Sequence, residues 1–460
     1  MRIIQTFWSG GRDPLQYGFG WRHAEHNLMS WALSCCSLRE HYDQVELYTD
    51  QRGYDVLIEK LHLPYTAVHV VYDDHLCLPQ HWAYAKIKTY SMQTEPFLHV
   101  DGDVYISKPF PEEVLSAALI TQNREVGTRY YRNMVDGILA CKGIILPDYV
   151  LDMLSQESVP SYNMGVFGGN DLVFIEEYCK SCLYLFEENG KVCDNGNLNV
   201  LMEQIFFAII CDYKRKTPSS IIQNCVIDNG YTVKDFCSLG RFHGKFLIHI
   251  LGGHKRNPNI IKRLCDTLLQ KFPQLCIRIL SLFPSKNIRF LFSDCDDVQI
   301  MHSSTMSTEY DMYISSIITQ WKNIPIEQLA ATEVKSMINI QINPMLILMI
   351  NPYMKMFYIP LGWHGEKTEY FHRKFNLDMS VPLIAISITP TLFDNGIKEC
   401  PIYGIGEKII DKLRTKNMTV SELYISIYDT INMSELSAGV KKFINNIIIH
   451  LIDNGIIYCV

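Results

Sequence analysis

The chain has no excess of basic charge: 42 Lys and Arg stand against 49 Asp and Glu, a formal net charge of −7. No global positive field draws in nucleic acid, so a phosphate-bearing ligand has to be held locally, by a metal ion or a few basic groups. The first residues lack the marks of a signal peptide. Met1-Arg-Ile-Ile-Gln-Thr-Phe-Trp8 runs straight into Ser-Gly-Gly, with neither a long apolar core nor a small-residue cleavage site. A membrane span is also missing. The longest uncharged stretch, Ser336 to Met354, carries Asn339, Gln341, Asn343, Pro344, Asn351 and Pro352, too many polar and breaking residues for hydrocarbon, and reads as buried strands. Of the 15 cysteines, Cys179-Lys-Ser-Cys182 alone has CxxC spacing, so no second pair completes a zinc site. Scattered through apolar segments, the thiols read as reduced and mostly buried, which predicts a cytoplasmic protein. There is no internal repeat.

What is present is core-forming material. Hydrophobic residues make up 48% of the chain and aromatics 12%, which excludes a disordered protein. The length gives a prior of about three domains. From Met1 to about Asp171, strand and helix patterns alternate. Arg2 to Phe7 is strand-like, His26 to His41 helical, Val45 to Thr49 a strand ending in Asp50, Tyr54 to Leu61 helical, and Pro96 to Val100 a strand closing on Asp101. This alternation predicts an α/β fold with a mostly parallel sheet flanked by helices. Functional groups in such sheets collect at the carboxyl ends of the strands.

After about Pro258 the character changes. Residues 259–330 read as a helical connector, 331–400 as a strand-rich segment, and 401–460 as an α+β end resembling a winged helix. In the last, Glu407–Arg414 and Val440–Asp453 are helical, and Thr419-Val-Ser-Glu422 forms a capping box for a helix between them. Ile456–Val460 is the closing strand. Lysines and arginines in this end are offset by acids, so DNA binding is not expected. An acceptor peptide adding a strand here and plain support or dimerisation both remain open.

The strongest chemical signal is Phe97-Leu-His-Val-Asp101-Gly-Asp103. An apolar strand delivers two carboxylates, hard oxygen ligands suited to Mn²⁺ or Mg²⁺. A second pair, Asp294-Cys-Asp296, also follows an apolar run, and a turn or helix cap explains most isolated pairs. Downstream stands His249-Ile-Leu-Gly252-Gly-His-Lys255. His249 suits a third metal ligand, while Gly252 and Lys255 suit close backbone approach and a point charge on phosphate. His-x-x-Gly-x-x-Lys is expected about 0.04 times by chance in a chain of this composition.

These two motifs together resemble nucleotide-sugar glycosyltransferases of the GT-A fold, most closely glycosyltransferase family 8, the glycogenin and bacterial galactosyltransferase-like group. The usual Pro-Trp after the lysine is replaced by Arg256-Asn257-Pro258, the mark of a divergent relative. The resemblance covers residues 1–258 and implies a GT-A-like domain there. It implies that Asp101, Asp103 and His249 hold Mn²⁺, that Gly252 and Lys255 touch the diphosphate, and that a hexose moves from a UDP-sugar with retention. By the same resemblance, Asn163, Gly168 and Gly169 in Tyr162-Asn-Met-Gly-Val-Phe-Gly-Gly169 line the sugar site, an ordinary Gly turn being the alternative. Glu203 and Gln204 match an acid-Gln pair beside the reacting carbon, although Glu203 reads equally well as a solvated helix carboxylate. Asp50 and Trp8 correspond to nucleoside contacts and Lys86 to a phosphate contact. A core role for Trp8 and a solvated helix face for Lys86 stay open. The acceptor, a peptide or a glycan, is not legible. Two rival readings are a metal-dependent phosphoryl or nucleotidyl transferase and a nucleotide-sugar-binding protein without catalysis.

Overall fold

The computed structural model of the chain describes residues 1–193, 196–228, 230–232, 236, 239, 245–283, 307–321, 323–336, 342–359, 366–378, 383–392, 397–431 and 438–459. Asp294 and Asp296 lie outside the described residues. The chain forms two compact units, Met1–Thr267 and Leu268–Val460.

The first unit contains, in chain order, β1 (Arg2–Phe7), β2 (Val45–Asp50), β3 (Ala67–Tyr72), β4 (Phe97–Val100), β5 (Val104–Ile106), β6 (Ile120–Gly127), β7 (Val159–Gly169), β8 (Ser219–Ser220), β9 (Val226–Ile227) and β10 (Leu247–His249). Eight of these build one sheet in the order β3-β2-β1-β4-β7-β6-β8, with β9 also paired to β6. β1, β2, β3 and β4 run parallel, whereas β7 is antiparallel to both β4 and β6. The expected mostly parallel, helix-flanked α/β sheet is present. Its strand order turns back at β1: β2 and β3 are added on one side and β4 on the other. A crevice opens at the carboxyl ends of β1 and β4, where open α/β sheets bind ligands.

Both sheet faces are covered, so the strands are apolar on both sides. In β4, Phe97 packs on Tyr90 of the Ala83–Ser91 helix and on Phe167 of β7, which in turn meets Tyr178 and Phe207 of the Leu172–Gly190 and Phe206–Tyr213 helices. Leu98 and Val100 face the other way, onto Leu38 of the Ala24–Arg39 helix. That helix is buried along almost its whole length, which explains why its sequence shows no polar face.

The second unit holds β11 (Ile347–Ile350), β12 (Lys355–Tyr358), β13 (Ala385–Pro390), β14 (Ile397–Ile402), β15 (Met418–Thr419) and β16 (Ile457–Cys459). They make two three-stranded sheets, β15-β11-β16 and β12-β13-β14. Strand pairing joins two of the segments expected after residue 258. β11, from the strand-rich segment, pairs with β15 and β16 of the C-terminal end, and one apolar core runs from Leu348 to Cys459. Among the described residues of the stretch expected as strands, Ser336–Met354, β11 is the strand, and residues 337–341 lie outside them. The capping box forms as expected: the Thr419 backbone N–H donates to Glu422 Oε2 at 2.7 Å, and the Glu422 N–H to Thr419 Oγ1 at 3.1 Å. No helix is long and apolar enough to cross a membrane among the described residues.

Candidate metal and donor site

The chain leaves β4 at Val100 and turns tightly, with the Val104 N–H donating to the Asp101 carbonyl at 3.1 Å. This turn presents both carboxylates at the mouth of the crevice. Its backbone is fixed from two directions. Gln5 Nε2 on β1 donates to the Val100 carbonyl at 3.1 Å, and Ser30 and Ser34 on the Ala24–Arg39 helix donate to the Gly102 and Val104 carbonyls, each at 2.7 Å. β10 lies antiparallel on β5 with His249 opposite Val104, and the Ile250 N–H donates to the Asp103 carbonyl at 3.1 Å. Sheet pairing thus carries His249 to a turn far upstream in the sequence.

Ligand atoms of Asp101, Asp103 and His249 all lie within 4.8 Å of one another, the one such group among the described residues. Gln122 orients the imidazole. Its Nε2 donates to Asn123 Oδ1 at 3.1 Å, which turns Oε1 to within 2.8 Å of His249 Nδ1. Gln122 Oε1 then accepts the Nδ1 proton, and Nε2 faces Asp103 Oδ1 at 3.3 Å. That oxygen is buried with no hydrogen-bond partner. Two carboxylates and an imidazole form a hard, mixed O/N set that fits Mn²⁺ or Mg²⁺.

Two lysines are built into the same cluster. Lys255 Nζ is 2.5 Å from Asp103 Oδ2. Burial alone would raise Asp103, but Lys255 and His249 override it and hold its carboxyl far below the usual range. Lys86 is buried between two acids, 2.8 Å from Asp101 Oδ1 and 2.5 Å from Glu203 Oε1. Burial disfavours its charge, yet the two carboxylates outweigh that and raise its pKa. Glu203 is itself fully buried, and burial pushes its carboxyl up to about 7 despite Lys86. Burial likewise raises Asp101, against the pull of Lys86. Glu203 and Gln204 ride on a π-helical turn, Leu201–Ile205, a distortion common at functional sites.

These groups open on a cleft of about 810 Å³, large enough for a nucleotide-sized ligand. Ten anticipated residues line it: Trp8, Lys86, Asp101, Asp103, Asn163, Glu203, Gln204, His249, Gly252 and Lys255. Gly252, at φ +47, has open space where a Cβ would stand. Trp8 is both core and cleft wall, with its indole N–H donating to the Asp73 carbonyl at 2.8 Å. Glu203 and Lys86 are not on solvated helix faces; they are buried against each other.

Three anticipated binding residues lie elsewhere. Asp50 is buried outside the cleft lining, and its carboxylate oxygens accept the backbone N–H groups of Ser9 at 2.6 Å and Gly53 at 2.8 Å. It fixes the loop after β1 and does not reach into the cleft. Gly168 and Gly169 sit inside the sheet. A Cβ on Gly168 would lie 2.0 Å from the Phe97 carbonyl, and one on Gly169 2.1 Å from the Ala118 carbonyl. They are glycines because neighbouring backbone comes close. Gly102 similarly makes room for a side chain, a Cβ there meeting the Trp31 indole at 2.4 Å.

Several contributors carry no motif of their own. Gln5, Ser30, Ser34 and Gln122 act through contacts that only the folded chain makes. Glu125 is buried and accepts from Asn163 Nδ2 at 3.2 Å and Tyr231 OH at 2.8 Å, and also bonds the Tyr131 hydroxyl. It sets the Asn163 amide at the cleft wall, where the Asn163 Oδ1 accepts the Gly165 N–H at 3.0 Å.

No curated protein matches this sequence. A family model described as a family of unknown function, DUF6734, matches residues 1–282, a span that holds every residue of the cleft and more than half of the chain. The chain belongs to that family.

Proposed function

We propose that the first unit is a metal-dependent glycosyltransferase that moves a hexose from a UDP-sugar to an acceptor, with retention of the anomeric configuration. The observation that carries this reading is the Asp101–Asp103–His249 cluster at the carboxyl ends of the strands, with Lys255 beside it in a nucleotide-sized cleft. A bound Mn²⁺ would supply neutralisation of charge on the departing diphosphate. Lys255 adds a fixed positive charge for the same oxygens, and Gly252 allows backbone approach. Glu203 and Gln204 stand on the wall beside Lys86, where they contact and orient the sugar or its acceptor hydroxyl. The three helices Ile405–Thr415, Val420–Ile431 and Ala438–Asp453, read as a winged-helix-like module, serve acceptor placement in a cytoplasmic protein.

A phosphoryl or nucleotidyl transferase is less well supported. Such an enzyme calls for more clustered acidic ligands, and no further acid joins Asp101, Asp103 and His249 among the described residues. The deciding experiment is thermal-shift titration with UDP, with and without Mn²⁺, on wild type and Asp103→Asn. Stabilisation by UDP that needs Mn²⁺ and vanishes in the variant is expected, followed by release of hexose from a UDP-sugar panel. UDP binding indifferent to metal and to Asp103 would overturn the reading.

A further inference from the structure

We propose that Cys141 and Cys193 form a redox-active dithiol that closes to a disulfide by exchange with a small disulfide such as oxidised glutathione. The two sulfurs stand 2.8 Å apart although the residues are 52 positions distant in sequence. Closing to an S–S bond of about 2.05 Å requires less than about 1 Å of further movement.

The approach is built, not accidental. Cys141 follows the Tyr130–Leu139 helix and Cys193 follows the Leu172–Gly190 helix, so each sulfur hangs from the end of a rigid element. The buried Asn189 side chain clamps the two ends together, accepting the Ile145 N–H at 2.7 Å and donating to the Ile145 carbonyl at 2.8 Å. The Cys193 N–H donates to the Asn189 carbonyl at 2.8 Å. The thiols also differ in access. Cys141 is half-exposed and Cys193 buried, the arrangement of an attacked thiol beside a resolving one.

The chemistry balances in two exchanges. The Cys141 thiolate attacks one glutathione sulfur, forming a mixed disulfide and releasing one glutathione thiolate. The Cys193 thiolate then attacks the Cys141 sulfur and releases the second. Two protein thiols are oxidised and one glutathione disulfide is reduced to two thiols. Closure ties the loop after the Tyr130–Leu139 helix to the segment that leads into Glu203 and Gln204. Neither cysteine lines the cleft, and the inference holds whatever reaction the cleft performs.

The test is peptide mapping of the full-length protein under non-reducing conditions after incubation with oxidised glutathione. The expected product is one cross-link, Cys141 to Cys193, with a raised melting temperature that dithiothreitol reverses. Cys141→Ser should lose both the cross-link and the shift. Cys193→Ala should stop at glutathione on Cys141. Should Cys193→Ala fail to fold, wild type and Cys141→Ser still decide. Wild type that keeps glutathione on Cys141 without cross-linking, or that leaves Cys193 open to alkylation after oxidation, would overturn the proposal.

Discussion

His249 occupies the space that a side chain at residue 165 would need: a Cβ on Gly165 would lie 2.3 Å from His249 Nδ1 and 2.6 Å from Gln122 Oε1. Gly165 is held in β7, and its carbonyl accepts the Asp101 N–H at 2.8 Å, so the backbone cannot retreat without moving the acidic turn. Gly165→Ala should therefore turn the imidazole away and break its bond to Gln122. Losing such an orienting partner weakens metal binding by about 10–100-fold. Mn²⁺ titration monitored by UDP-dependent thermal shift checks this. Adding His249→Ala to Gly165→Ala should not weaken Mn²⁺ binding much further, because both changes remove the same ligand. Unaltered Mn²⁺ dependence in Gly165→Ala would show that His249 is not a ligand.

Lys86 makes a different prediction. It neutralises Asp101 and Glu203 at once from a buried position. Lys86→Met leaves the buried Glu203 carboxylate and the partly buried Asp101 carboxylate without their shared cation, a loss of about 3–5 kcal/mol. Adding Glu203→Gln removes one of those charges, so Lys86→Met/Glu203→Gln should be more stable than Lys86→Met alone. A double-mutant cycle in urea reads this directly, with a strongly non-additive result expected. Additive losses would mean that the two side chains do not form the pair.

The sequence shows the candidate metal ligands because their chemistry is local: two acids ending an apolar strand, and an imidazole ending another. It shows the sheet order far less well, because β10 meets β5, and β16 meets β11, through pairings that leave no local trace. The glycines divide in the same way. Gly252 has open space around it, whereas Gly168, with the same apparent signature, is small because the Phe97 carbonyl lies against it. A one-dimensional pattern records that a Cβ is absent but not what would collide with it. Asp50 shows a related ambiguity: a carboxylate at a strand end can receive a ligand or two backbone N–H groups, and here it receives backbone N–H groups from Ser9 and Gly53. Lys86 and Glu203 read either way in the sequence because each on its own is an ordinary helical charge, and only their packing together buries them.

In the second unit, the capping box gives a test that does not depend on the cleft. Thr419 and Glu422 bond each other's backbone N–H groups at the start of the Val420–Ile431 helix. Thr419→Ala should cost about 1 kcal/mol, and Thr419→Ser should retain most of the bond. Amide hydrogen exchange of the first turn should show the loss as roughly fivefold faster exchange at Glu422. Equal exchange in the alanine and serine variants would remove the cap from the account.

Asp228 holds the cleft wall near Tyr130 and sets a pH dependence. Its carboxylate accepts the Thr128 hydroxyl at 2.6 Å and the N–H groups of Thr128, Arg129 and Tyr130 at 2.7, 2.9 and 3.0 Å. Desolvation would raise its pKa, but these donors outweigh it and lower the group from 3.8 to about 2. Because the folded-state value is the lower one, the stabilisation is fully present above about pH 4 and is lost as pH falls towards 2. The carboxylate is close to solvent, so the gain is small and local, on the scale of a helix cap at about 1 kcal/mol. Asp228→Asn keeps the shape but removes the charge. Hydrogen exchange at residues 128–131 should be several-fold faster in Asp228→Asn than in wild type at pH 6, and the two proteins should converge near pH 2. A constant difference across that range would show that shape, not charge, holds the loop.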